Sequence, residues 1–151
     1  MIYEDWKENF VDDAGKSGII AIGEGMQRKI SNAGAFQHLS EPMQLRHVRR
    51  VAEKYGIDLQ DTHVRIERDG NLVNQGYFGV ANNQYRDKGR IHLYPDAFSS
   101  EEELAKTLYH EKIHLEQFIE FGYENVVNER ERFENIADEL EELFWKERGK
   151  K

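Results

Sequence analysis

The sequence predicts a small α+β domain. Short runs between residues 63 and 94 alternate apolar with polar side chains and are interrupted by glycine, which marks a few brief strands. Three longer stretches, one before those runs and two after them, repeat apolar residues at helical spacing. The chain has 151 residues, of which 38% are hydrophobic and 11% aromatic, enough for one core and little more. The expectation is a small, mixed or mostly antiparallel sheet packed on helices.

Residues 1–40 stand apart. Glycines at 15, 18, 23, 25 and 34 surround one apolar run, Ile19-Ile20-Ala21-Ile22, so the segment reads as peripheral, as a linker or as a pro-segment. Gly23-Glu24-Gly25 begins like a dinucleotide-binding turn, but Arg28 stands where its last glycine belongs, and that reading is discarded. Residues 41–151 are taken as the domain proper.

A first helix is expected over 41–55, with Ser40 as cap, Pro42 in the first turn, Leu45, Val48 and Val51 inward, and Gly56 as the stop. Residues 63–67 alternate as a strand and Asp69-Gly70 is a turn. Residues 72–80 read as a broken strand carrying Gly76 and Gly79, and 82–89 as a loop. Arg90-Ile91-His92-Leu93-Tyr94 alternates cleanly until Pro95. The second helix is the best marked. Ser99 and Ser100 each precede a glutamate by three, three acids fill the first turn, and Gly122 closes a span over 101–121. A third helix is expected over 124–145, with Val126, Phe133, Ala137, Leu140 and Phe144 along one stripe.

Composition narrows the function. No run of 18 apolar residues exists, so no membrane span is expected. The acidic start Met1-Ile2-Tyr3-Glu4-Asp5-Trp6 predicts no signal peptide. Zero cysteines remove thiolate chemistry and leave metal binding to His, Asp and Glu. A net charge of −8 argues against nucleic acid as partner, and the cluster Arg46, Arg49 and Arg50 reads as a solvated helix face.

Within the second helix stands His110-Glu111-Lys112-Ile113-His114. Histidines at i and i+4 lie about 40° apart around the axis and roughly 6 Å along it, so both imidazoles can reach one cation. On the helical wheel Glu111 falls at the centre of an apolar arc running through Thr107, Phe118, Leu104, Leu115, Leu108 and Ile119. An ionised carboxylate there is costly unless something pairs with it. A zinc ion needs a third protein ligand. Gln117 and Glu120 occupy the places of the Gly and His of the longer H-E-x-x-H-x-x-G-x-x-H motif, which rules that arrangement out. Glu134, 20 residues beyond His114, suits a turn at Gly122 and a returning helix. Asp138, one turn on, can accept the second N–H of a ligating histidine. Glu141, one heptad past Glu134, is the rival ligand, with Glu131 and Asp138 also in reach.

The pattern His110-Glu111-x-x-His114 followed by Glu134-x-x-x-Asp138 resembles the gluzincin branch of zinc metallopeptidases. Size and element order look like the minimal zincin domains of bacterial and prophage-encoded proteins, polymorphic toxins among them. The resemblance covers about residues 90–145. It implies a Zn2+ cofactor held by His110, His114 and Glu134, with Glu111 as general base in peptide-bond hydrolysis and Asp138 behind the ligands. It also implies a peptide or protein substrate, and a cytoplasmic location or delivery as part of a phage or toxin protein. Lys112 stands where the family has an uncharged residue. After Glu134 the chain has neither His nor Tyr, so a group stabilising the transition state must come from upstream, with Tyr94 and His92, or Tyr77 and Tyr85, as candidates. If the strand over 90–94 edges the cleft, it would bind an extended substrate by strand addition. An immunity-type protease that cuts a repressor is a variant of this reading, and His38 is the best metal ligand that a pro-segment could offer. The alternative from another class is a non-catalytic phage structural or interaction module on a degenerate zincin scaffold.

Overall fold

The computed structural model describes residues 32–83 and 89–149. The run Ile19–Ile22, the Gly23–Gly25 turn and Tyr85 lie outside these residues. The elements are α1 (Leu45–Lys54), β1 (His63–Ile66), β2 (Gly79–Asn82), β3 (Arg90–Leu93), α2 (Glu101–Phe121), α3 (Tyr123–Asn128) and α4 (Arg130–Gly149). Among the described residues, three strands and four helices make the α+β architecture that the alternating and helical patterns imply.

The sheet is mixed, in the order β1-β3-β2. β1 runs parallel to β3, pairing His63 with Arg90 and Ile66 with Leu93. β2 runs antiparallel to β3, pairing Gly79 with Leu93 and Asn82 with Arg90. β3 is therefore central, and a substrate strand cannot add to it as its alternating pattern alone would allow. Among the described residues the edge next to the cleft belongs to β2. The Tyr94 N–H donates to the Phe78 carbonyl at 2.9 Å. Antiparallel alternation from that bond turns the backbone groups of Gly79 and Ala81 away from β3.

α2 is the hub and packs against β2, β3, α1, α3 and α4. Its buried Leu104, Leu108, Leu115 and Phe118 meet Ile91 and Leu93 of the sheet, Phe98 of the preceding turn and Val48 and Val51 of α1. Tyr109 stacks on Phe144 at 4.1 Å between ring centres, and Tyr55 joins through Phe144 and Trp145, so α1 and α4 close over α2. No helix among the described residues is long and apolar enough to cross a membrane.

Several local expectations are corrected. α1 begins at Leu45, not at 41, because contacts outside the helix hold residues 39–43 out of helical conformation. The Asn32 amide donates to the Leu39 and Glu41 carbonyls at 3.2 and 2.9 Å and accepts from Met43 N–H at 2.9 Å. Ser40 donates to the Ser99 carbonyl at 3.0 Å instead of capping the helix. Leu39 is buried in the core.

The strand expected over 72–80 shrinks to Gly79–Asn82, preceded by a 3-10 turn at Gly70–Leu72. Asn74 and Gly76 adopt left-handed φ of 64° and 83°. The buried Asp96 carboxylate accepts both of their N–H groups at 2.7 Å, donors a strand would have shared with a neighbour.

The single helix expected over 124–145 is two, broken at Glu129 with φ −117° and ψ 43°. Leu140, placed on the inward stripe, is 36% exposed. The inward arc of α4 runs through Phe133, Ala137, Phe144, Glu141 and Glu134, which leaves Leu140 at its rim.

Candidate metal centre

Ser100 caps α2 by accepting the Glu103 N–H at 3.0 Å, and Gly122 ends it at φ 90°. α4 then returns antiparallel: Phe133 meets Phe121, Glu134 meets His114, Glu141 meets His110, and Phe144 meets Tyr109. This return brings a carboxylate from one helix over two imidazoles of the other.

His110 Nε2 and His114 Nε2 lie 3.2 Å apart, and the Glu134 carboxylate straddles them at 3.2 and 2.8 Å. His114 is fully buried and His110 nearly so. The outer nitrogens are engaged too. Gln117 Nε2 donates to the Phe133 carbonyl at 3.2 Å, which leaves its Oε1 to accept the His114 Nδ1–H at 2.8 Å. Glu141 faces His110 Nδ1 at 2.9 Å and Asp138 lies at 3.5 Å. With protons held outward, two Nε2 lone pairs and a carboxylate converge on one point, where they could hold a cation. Two groups among the described residues can hold a metal ion: His110, His114 and Glu134, and His110, Asp138 and Glu141. The donor set of imidazole and carboxylate suits a borderline divalent cation.

Without a cation, protons fill that role. Burial would lower the His110 pKa, but hydrogen bonds to Glu134 and Glu141 outweigh it and push the imidazole up to about 10. Glu134 is buried in part, yet its two histidine partners hold it well below the usual carboxylate range. Glu111 is 3% exposed, and burial raises its carboxyl to about 7 against the pull of His114 and His110. Its Oε1 has no hydrogen-bond partner.

Glu111 lines a cleft of about 290 Å³ whose opposite wall is Gly76–Val80 and Tyr94, with His110, Glu134, Asp138 and Glu141 beside it. The fit across it is close. A methyl group at Gly79 would lie 2.8 Å from Thr107 Cγ2, 3.1 Å from Glu111 Cγ and 3.2 Å from the His92 carbonyl. Gly79→Ala is therefore expected to push α2 off β2 and lower stability by about 1–3 kcal/mol. Urea denaturation checks this, and an unchanged midpoint would show that α2 is not seated on Gly79.

The residues singled out from sequence fall into three groups. His110, Glu111, His114 and Glu134 meet at one place. Glu141, the rival ligand, faces the outer nitrogen of His110, closer to it than Asp138, whose side chain is 59% exposed. Tyr94 and Tyr77 line the cleft, their rings 6.2 Å apart. His92 does not: it is fully buried in the sheet and bonded to Glu67 at 2.8 Å, so its place as an upstream stabilising group is corrected. The motif marks Gln117 only as an absent glycine and misses its bond to His114. Its position, three residues past His114 on the same helical face, is the signal that points to it. Compared with protein-family models, with curated proteins and with solved structures, the chain matches none.

Proposed function

We propose that the protein is a zinc-dependent peptidase, with His110, His114 and Glu134 holding the metal and Glu111 as general base. The observation that carries this reading is the Glu111 carboxylate: buried, unpartnered at Oε1, and on the wall of the cleft beside the three converging donors. A core stabilised for its own sake would place an apolar side chain there.

A bound zinc ion supplies Lewis acidity to a scissile carbonyl and lowers the pKa of water. The chain's own residues supply the rest. Glu111 takes the proton of the attacking water and returns it to the leaving amine. Gln117 and Glu141 hold the two imidazoles with their Nε2 lone pairs inward. The backbone of Gly79, on the cleft wall, would be the point where an extended peptide pairs. Tyr94, followed by Tyr77, would donate a hydrogen bond to the developing oxyanion, since both line the cleft.

The test is hydrolysis of an unstructured peptide mixture followed by mass spectrometry. Cleavage is expected with zinc, lost to a chelator, restored by added zinc, and falling below about pH 6 as protons compete for the imidazoles. Metal retention with no cleavage of any peptide would contradict the reading and favour a non-catalytic module.

A further inference from the structure

Residues 76–78 belong to the cleft wall that faces α2, and the five residues 74–78 are all exposed. Tyr77 and Phe78 leave 41% and 38% of their surface open, and a methyl group at Gly76 would meet nothing within 4 Å. Apolar packing therefore does little to hold this wall. A segment with so few buried contacts opens easily unless polar bonds hold it.

Asp96 supplies those bonds. Its carboxylate is buried, and each oxygen accepts one N–H at 2.7 Å, Oδ1 from Asn74 and Oδ2 from Gly76. At the far end of the wall the Tyr94 N–H donates to the Phe78 carbonyl at 2.9 Å. Asp96 itself lies in the 3-10 turn Pro95–Phe98, all four residues of which are buried. That turn leads directly into α2, the helix of His110, Glu111 and His114. One side chain thus ties the exposed wall to the packed root of the wall opposite, and sets how the two face each other.

Ordering a loose segment at the moment of binding costs affinity, and a wall ordered beforehand avoids that cost. We propose that Asp96 is a positioning residue for substrate. It holds Tyr77 and Phe78 where an extended peptide meets them, and acts through those two rings without touching the peptide. This rests on the peptidase reading, from which the substrate is taken.

The experiment measures KM for a cleaved peptide with the zinc-loaded protein. It also measures the Kd of the same labelled peptide for zinc-loaded Glu111→Gln by fluorescence polarisation. Asp96→Ala frees both N–H groups and is expected to raise KM and Kd about tenfold, and Asp96→Asn, which keeps one acceptor oxygen, about threefold. A merely damaged fold lowers kcat by shrinking the active fraction and leaves KM where it was. Gly76→Ala disturbs the wall from its other side, because the methyl has room but the left-handed φ is strained. It should raise KM as Asp96→Asn does, even if Asp96→Ala fails to fold. Where Tyr77→Ala and Phe78→Ala have removed both rings, Asp96→Asn should change Kd much less.

KM and Kd unmoved in Asp96→Asn and Gly76→Ala overturn the proposal, and so does an Asp96→Asn effect that survives loss of both rings. Cleavage with KM indifferent to Asp96 removes the positioning role and leaves the peptidase standing. Peptide binding that depends on Asp96, with no cleavage, does the reverse, and neither cleavage nor binding overturns both.

Discussion

Glu111→Gln is expected to lower peptide hydrolysis by about 10³-fold while zinc is still bound at one ion per chain. The amide keeps the size of the carboxylate beside Thr107 and Gly79 but cannot accept the proton of water. Because Glu111 is not among the converging donors, metal content should not change. A second consequence separates this residue from a passive core glutamate. Burial raises its carboxyl from 4.5 to about 7 in the metal-free protein. A folded pKa above the unfolded one means that the folded state binds the proton more tightly, so stability falls as pH rises from about 4.5 to 7. Glu111→Gln removes that loss. Each tenfold difference in proton affinity between the folded and unfolded chain is worth about 1.4 kcal/mol. Between pH 5 and pH 8 the metal-free variant should therefore gain on the wild type by up to about 3 kcal/mol. Peptide turnover and urea melts at the two pH values check both halves. A variant as fast as the wild type would remove Glu111 from the chemistry.

Replacing Glu134 is the other large effect. Glu134→Ala leaves the two imidazoles without their third donor, and zinc affinity is expected to drop more than 100-fold. Losing only a group that hydrogen-bonds to a ligand costs about 10–100-fold, and losing the ligand itself costs more. The wild-type affinity carries its own signature. His110 is held protonated up to about pH 10 in the metal-free protein, so binding displaces about one proton. Affinity should rise close to tenfold per pH unit between about pH 7 and 9.

Removing Glu134 also alters the metal-free protein in a defined window. The raised His110 pKa contributes stability that is fully present below about 6.5 and lost as pH rises through about 10. The lowered Glu134 pKa contributes stability present above 4.5 and lost as pH falls toward its folded value. Glu134→Ala therefore costs most between about pH 4.5 and 6.5. Zinc titrations and denaturant melts across pH test this together, and undiminished affinity in Glu134→Ala would assign the third donor elsewhere.

How much of this was legible in the sequence depended on distance along the chain. α2 runs from Glu101 to Phe121 as expected because both its signals are local, a serine cap and a terminating glycine. The convergence of His110 and His114 needs only helical spacing, and Glu134 follows from one tight turn and an antiparallel return. What the sequence hid was set by partners far away. Asn32 delays α1 by binding residues 39–43, and Asp96 curls 74–76 out of a strand 20 residues earlier. Whether Glu141 or Asp138 stands behind His110 turns on the rotation of α4, which the break at Glu129 resets. Val126 and Phe133 thus lie on different helices, and a stripe drawn through both misplaces Leu140.

The proposed mechanism depends on whether two imidazoles of α2 and one carboxylate of α4, which could hold a metal ion, hold a single cation. Anomalous diffraction at the zinc edge, from crystals grown with equimolar zinc, tests it directly. One peak in bonding range of His110 Nε2, His114 Nε2 and a Glu134 oxygen is the result expected. A zinc peak at Glu141 and Asp138 instead, or none between the helices, would contradict it.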